Sequence, residues 1–571
     1  MKNFIKTKSQ LFATIIFAFL LIFCVLITIT KIDNIILKHV EVFFHKTLRN
    51  PARWIDVLQN SARLFGCTFA LIYFLCFIEK GKALCTNIKK TLFDCNGILF
   101  SKRSSYFFAG TVFFLLFAYS NVILANYFYA DDVFRNYGGN RSWIGFSRYI
   151  SEFGSILIHN SLKLNDIAPL TQIIAIVISS ATVLILSVSL TETVSVKNIL
   201  VLSVIFISPF YAENISYRFD SPYMALSLFF SAVPFLFRKD TKSFVFTSII
   251  CLILTCISYQ AALPLYILAA IFIFLNDFIN SKELKDNLFF AAKSVISFVA
   301  ALVIFKFLFM NKMSNGADDY FSTRIMISAL LPNVIQYVKT TFSLNGGFLT
   351  KIFFILSIIA AIFNAVKISK QNKIITFFVS AVLIVVSYVL SFGPYLVFER
   401  PAFTSRAFMG FNVFVSFILL GSIQSSINVK PVLNLTSRII AFLYVYSCVV
   451  FMFTYGNCLK NQKEYENFRL SMILHDLSEF TIDESKPNVS FEGGMDLCQK
   501  SHIAMKNYPL LKQIVPRMPG SSSTWNKELL SACNFECTDE YTQKDESFEL
   551  IKKCSYHEIY QNGNNFIVVL K

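Results

Sequence analysis

Residues 107–135 read FFAGTVFFLLFAYSNVILANYFYADDVFR. About 20 apolar residues in a helix cross the ~30 Å hydrocarbon core of a bilayer. This stretch therefore predicts a spanning helix, and it ends in two adjacent carboxylates, Asp131 and Asp132. Carboxylates are expensive to hold beside hydrocarbon, so a pair at a helix mouth points to a site.

Working outward, comparable apolar runs begin near residues 11, 61, 107, 169, 199, 223, 243, 261, 290, 351, 374, 407 and 437, which predicts an all-α polytopic membrane protein of about thirteen transmembrane helices. Composition agrees: 55% of the 571 residues are hydrophobic and 15% charged, too little polar surface to cover a soluble globule of this size. The run Leu11–Thr30 ends without a small-residue cleavage site and is read as a retained helix. Pro209, Pro222, Pro234 and Pro264 interrupt the spans near 199, 223, 243 and 261.

A net charge of +17 could suggest nucleic acid, but residues 457–571 carry 13 Lys/Arg against 16 Asp/Glu, so the excess lies between the apolar spans. There it orients the chain, and no nucleic-acid partner is expected. With the amino terminus inside, the inner segments hold 20 Lys/Arg in 82 residues and the outer ones 14 in 136. An odd span count then places the charged, Pro-rich segment 457–571 outside as a small soluble domain. Its Cys498, Cys533, Cys537 and Cys554 form an even set consistent with two disulfides in an oxidising compartment. The six histidines are scattered, and none forms a metal set.

The chemistry is expected on that outer face. An acid of the Asp131/Asp132 pair could deprotonate a hydroxyl or hold a divalent cation (Mg or Mn) on a phosphate; the bland reading is an interfacial anchor. Arg135 follows at a spacing that returns it to the same helix face, where it could meet a phosphate oxygen. The next forty residues interleave Trp143, Phe146 and Tyr149 with Arg141, Arg148, Glu152 and Asp166, which suits an interfacial belt or a head-group and sugar pocket. Polar clusters recur at Glu213–Pro222, with Arg218 and Asp220, and at Ser258-Tyr259-Gln260. Asp318-Asp319 lies in a long outer loop, and Arg406 opens the twelfth span as a further phosphate candidate. No Walker loop, GxSxG elbow, HExxH or dinucleotide fingerprint occurs, so any donor must arrive already activated.

At these residues the chain resembles the bacterial GtrII-type glucosyltransferases, which modify lipopolysaccharide O-antigen and determine serotype. The matching pieces are Tyr129-Ala130-Asp131-Asp132-x-x-Arg135, Trp143 with Arg148, Asp166 through Gln172, Ser208-Pro209-Phe210 through Asp220-Ser221, Ser258-Tyr259-Gln260, and Gln462 through Leu477. Their order runs across residues 107–480. Around Arg148 the chain departs, reading Phe146-Ser147-Arg148-Tyr149 where the family commonly places Gly before the Arg and Pro after it.

The resemblance implies a GT-C-like catalytic core over 107–456, an amino-terminal extension over 1–106 with two further helices, and a periplasmic domain over 457–571. It also implies a polyprenyl-phosphate-linked glucose donor, an O-antigen or lipopolysaccharide acceptor, and a site on the periplasmic face of a bacterial inner membrane. By that similarity Asp131 and Asp132 are the catalytic acids, Arg135, Arg148, Arg218 and Arg406 contact the donor phosphate, and Trp143, Asp166, Asp220, Tyr259, Gln260 and Asp319 line the pocket. The competing readings are a flippase or transporter of lipid-linked sugars and a surface-polysaccharide polymerase or ligase. Transfer of labelled sugar, or its absence, separates them.

Overall fold

The computed structural model describes residues 51–310, 322–424, 431–481, 486–521, 525–538 and 542–571, with scattered positions between 14 and 24. The span expected from residue 11 lies largely outside these, and so does Asp319.

The chain is a helical bundle with a small mixed unit at its carboxy-terminal end. The helices used below are α1 (Pro51–Phe77), α2 (Glu79–Leu99), α3 (Lys102–Ala125), α4 (Asp131–Gly138), α5 (Tyr149–His159), α6 (Leu170–Thr191), α7 (Val196–Ile207), α8 (Ala212–Ser216), α9 (Ser221–Ala232), α10 (Thr241–Cys256), α11 (Pro264–Ile279), α12 (Leu284–Ile304), α13 (Leu330–Leu344), α14 (Phe348–Ile368), α15 (Lys373–Leu390), α16 (Met409–Ile423) and α17 (Pro431–Ser478).

Seven helices among the described residues are long and apolar enough to cross a membrane, or nine if two bent pairs each count as one span. The thirteen expected from sequence are thus not reproduced: the first lies outside the described residues, those near 61 and 199 are the bent pairs, and α9, α10 and α16 are short. Pro222 and Pro264 sit in the first turns of α9 and α11, where a missing N–H costs nothing, and Pro234 ends α9 in a 3₁₀ turn. At 12, 16 and 15 residues, α9, α10 and α16 reach only about 18–24 Å at 1.5 Å per residue. They are shorter apolar helices packed within the bundle.

The bundle is sorted by exposure. α16 is buried along nearly its whole length, whereas α15 presents Phe378, Val382 and Val385, each about 60% exposed, along one side. A contiguous apolar stripe of that kind is unfavourable in water and suits lipid.

Two short strands, β1 (Ser322–Ile325) and β2 (Phe398–Arg400), pair as an antiparallel ribbon beside the bundle. Helix α17 runs for 48 residues, about 72 Å, and joins the bundle to the carboxy-terminal unit. Leu470, Ile473 and Leu477, at helical spacing on its distal end, pack against Val489, Phe491, Ile559, Phe566 and Val568 of a second sheet. That sheet contains β3 (Asn488–Glu492), β4 (Glu549–Lys553), β5 (His557–Asn562) and β6 (Asn565–Leu570) in the order β3-β6-β5-β4, with β3 parallel to β6 and the other pairs antiparallel. The protein is therefore not purely α-helical. The two disulfides expected from the even cysteine set are also absent among the described residues: Cys498, Cys533 and Cys554 are free thiols.

Candidate active site

The acid pair sits where α3 stops. Asn126 caps α3 in the left-handed region (φ 45°), and Ala130 enters α4 at φ 46° and ψ −109°. That second conformation is sparsely populated for a residue with a Cβ and persists only where its surroundings impose it. Asp132 does so. Its carboxylate accepts hydrogen bonds from the backbone N–H of Tyr129 and of Arg218, both at 3.1 Å, and a longer one from Phe219 at 3.5 Å. Asp132 is wholly buried. Burial pushes its carboxyl up to about 8, opposed by the nearby Arg218 charge and reinforced by Asp220.

Asp131 has a different environment. Neighbouring residues on a helix point about 100° apart, and while Asp132 faces inward, Asp131 is only half-buried. It lies within electrostatic reach of Glu213, Tyr217 and Arg406. The first two arrive on a broken element: α7 stops at Ser208-Pro209, and the chain continues at 50° through α8, which carries Glu213, before turning at Tyr217. Arg406 comes from the turn before α16. Its backbone N–H donates to Glu213 at 2.8 Å, its Nε stands 4.0 Å from the same carboxylate, and its guanidinium lies 4.8 Å from the Tyr217 ring centre.

The four arginines predicted to hold phosphate divide into two pairs. Arg135 forms a buried ion pair with Asp220 (3.2 Å), stacks on Trp143 at 4.0 Å and donates to the Arg141 carbonyl. Arg218 pairs with Asp166 at 2.7 Å, donates to Asn126 Oδ1 at 2.8 Å and to the Tyr127 carbonyl at 3.0 Å, and covers Phe128. Both are engaged by the scaffold.

Arg148 is not so engaged. Its guanidinium lies over Tyr259 (4.5 Å) and Phe146 (5.3 Å), and among the described residues its buried Nε has no hydrogen-bond acceptor and no carboxylate pairs with it. Tyr259 and Tyr395 lie between Arg148 and Arg406, within reach of both charges.

The remaining pocket residues from sequence are structural in their contacts. Trp143 is fully buried, its indole N–H donating to Asp220 (2.5 Å) and its backbone N–H to Glu152 (2.9 Å). Gln260 donates to the Phe146 carbonyl at 3.1 Å and steadies the turn before Arg148. Sequence reading passed over Glu213 and Tyr217 individually and missed Tyr395. It also missed Glu466, which joins the site to the carboxy-terminal unit by accepting from Tyr127 OH (2.7 Å) and from the Met518 N–H (3.0 Å).

That unit closes against the acid helix. Tyr129 OH donates to the Ile514 carbonyl (2.8 Å), Lys463 to the Asn126 carbonyl (2.7 Å), and Phe134 of α4 stacks on Trp525 at 4.5 Å. The site and the carboxy-terminal unit therefore occupy one end of the bundle. Farther out in the unit, Cys554 Sγ lies 3.5 Å from His557 Nδ1 and Asp476 Oδ2 lies 3.0 Å from His557 Nε2, a cluster that spacing alone did not reveal.

Comparison with known proteins places this geometry. No solved structure matches the chain. A 55.3 kDa protein of Salmonella phage P22, described by its position in the gtrB 5′ region, is 22% identical over 464 residues, covering 76% of this chain and 92% of that protein. The family model for glucosyl transferase GtrII matches residues 120–417, just over half the chain. Those limits enclose the acid helix, Arg148, the broken α7–α8 element and the Arg406 turn, and the chain belongs to the GtrII glucosyl transferase family.

Proposed function

We propose that this membrane protein transfers glucose from a polyprenyl-phosphate carrier to a sugar hydroxyl of O-antigen, on the periplasmic face of a bacterial inner membrane and on a GT-C-type scaffold. The observation that carries the reading is the partly exposed Asp131 within reach of the loosely paired Arg406, which shares Tyr259 and Tyr395 with Arg148, an arginine without a carboxylate partner among the described residues.

Asp131 takes the proton from the acceptor hydroxyl as its oxygen attacks the anomeric carbon. The bond from that carbon to the phosphate oxygen breaks, and the carrier leaves as polyprenyl phosphate. Negative charge gathers on the departing phosphate, where the fixed guanidinium groups of Arg148 and Arg406 are most effective. Prepositioned donors of this kind are each worth about 3 kcal/mol in the barrier. A single displacement inverts the anomeric configuration.

Asp132 is a positioning residue, since its oxygens are held by backbone N–H groups and fix the turn that presents Asp131. Of the acid pair expected to hold a divalent cation, Asp131 is the partly exposed member, and such an ion would add positive charge beside the phosphate.

The sidedness of the bundle supports the face assigned. The acid helix and carboxy-terminal unit share one end, while the basic connections near Arg238 and Lys370 lie at the ends of α9–α10 and α14–α15 remote from the site. The test is transfer of labelled glucose from synthetic polyprenyl-phosphate-glucose to lipopolysaccharide by the purified protein in nanodiscs. Label recovered in the polysaccharide, dependent on Asp131, supports the assignment. Movement of intact carrier across vesicles without transfer refutes it.

A further inference from the structure

The end of the bundle away from Asp131 carries a second polar feature. Helix α6 starts beside Asp166 at the site and ends at Thr191, 22 residues later, about 33 Å away. There a cleft of about 470 Å³ opens between α2, the end of α6 and the turn that joins α9 to α10. Lys90 and Thr91 line one side, Ser189 and Glu192 the floor, and Arg238 and Lys239 the other.

Two observations give this cleft a preference. Ser189 is 5% exposed, and its hydroxyl has no hydrogen-bond partner among the described residues; a buried polar group left so is costly unless something polar meets it. The charge balance is also uneven. Glu192 already serves both Arg238 and Lys239 at 3.1 Å, Asp240 is occupied capping α10 through the Ser243 N–H at 3.0 Å, and Lys90 adds a further positive charge to the lining.

Helix α2 bends 84° from α1 and bears Lys80, Lys82, Lys89 and Lys90 among apolar residues, the pattern of a helix lying along a membrane surface. Such a helix brings its cleft to head-group depth. Helix α2 lies outside the family match, which begins at residue 120, and packs against α6 and α10 of the matched region.

We propose that the cleft binds the phosphate head group of an anionic membrane lipid, which bridges Lys90 of the extension to Arg238 and Lys239 of the core and meets the Ser189 hydroxyl. Basic pockets between helices take anionic head groups in this way, and each Lys or Arg near such a surface contributes roughly fivefold in affinity. The lipid ties the amino-terminal extension to the core without touching the transfer site.

The experiment uses the full-length protein in detergent and in nanodiscs of phosphatidylcholine with and without phosphatidylglycerol. Native mass spectrometry reads retained lipid, and melting temperature reads its effect. Wild type is expected to retain phosphatidylglycerol and to melt higher in its presence. Lys90→Gln should lower retention roughly fivefold, Lys90→Glu with Lys239→Glu should abolish it, and Lys367→Glu, outside the cleft, should leave it unchanged. Lys90 is exposed, so its Gln variant keeps the test independent of folding. Equal retention by all variants, equal loss in Lys367→Glu, or equal protection by free inorganic phosphate in detergent would each overturn the lipid assignment.

Discussion

Replacing Asp131 and Asp132 one at a time by Asn, and Asp132 also by Ala, gives opposite expectations for two adjacent residues of the same type. Asp131→Asn removes the proposed base and little else, because Asp131 is partly exposed and no backbone N–H group among the described residues leans on it. A general base is worth about 10²- to 10⁴-fold in rate, so transfer should fall by that factor with an unchanged melting temperature. Asp132→Asn is close to the protonated acid in shape and charge. One amide oxygen still accepts from Tyr129 and Arg218, and only the long 3.5 Å contact to Phe219 is lost. Transfer should stay within a few-fold of wild type.

Asp132→Ala leaves two buried N–H donors unanswered, at about 1–3 kcal/mol each. A loss of roughly 2–6 kcal/mol is a large part of an ordinary folding free energy of about 5–15 kcal/mol, and this variant should be recovered poorly and melt early. Initial rates from polyprenyl-phosphate-glucose, read beside thermal melting in nanodiscs, decide the matter. Loss of transfer in a well-folded Asp132→Asn variant, with Asp131→Asn active, would refute the division of roles.

Four further outcomes follow from the same contacts. The proton held by folded Asp132 up to about pH 8 is released near 3.8 once the chain unfolds, so folding takes up a proton between these values and stability falls as pH rises through that window. The melting temperature of Asp132→Asn should therefore gain on wild type from about pH 4 to 8 and hold level above. Arg148→Ala and Arg406→Ala should each slow transfer about 100-fold with stability retained, whereas Arg135→Ala strands Asp220 in the interior and should cost about 3–5 kcal/mol in a denaturation curve. Since Cys498, Cys533 and Cys554 are free thiols, mobility on electrophoresis should not change with reductant, and a maleimide should modify exposed Cys533 in the folded protein. Asn136→Cys and Glu546→Cys, both at exposed positions, should label with an impermeant maleimide from the periplasmic side, while Lys370→Cys should label only from the other.

The membrane class and an acid pair at a helix mouth with arginines around it were legible in the sequence, because hydropathy over twenty residues and charge at a helix mouth are local signals. What was illegible depended on rotation and on long-range pairing. Asp131 and Asp132 look alike in a string; the helix sends one into the Tyr129–Arg218 backbone and the other toward Arg406. Arg218 and Asp220 stand two residues apart, yet each has a distant partner, Asp166 and Arg135 respectively. Glu466 could not have been found at all, since its partner Tyr127 is 339 residues away and only the length of α17 brings them together. The cysteine count misled because an even number says nothing of proximity, and disulfides need Cα atoms within about 7 Å.

The distribution of counter-charges separates framework from function at this end of the bundle. In a site of low dielectric a guanidinium without a counter-charge is costly, so a carboxylate stands beside each arginine whose role is only structural, with Asp220 serving Arg135, Asp166 serving Arg218, and Glu152 serving Arg141 at 3.3 Å. Arg148 receives only the faces of Tyr259 and Phe146, and Arg406 shares Glu213 at the limit of ion-pair distance. Against Arg148 and Arg406, Glu213 alone leaves one positive charge over, which Asp131 offsets while ionised and which is uncovered once Asp131 has taken a proton. On the proposed function, a lipid-linked sugar phosphate brings negative charge to these arginines when it binds and more as it leaves, so the incomplete pairing is a reason for the donor to sit here and for the barrier to be lowered. A variant that supplied the charge permanently, Phe146→Glu beside Arg148, should fold at least as well as wild type and bind the donor far more weakly. Unimpaired donor affinity in that variant would show that Arg148 waits for something else.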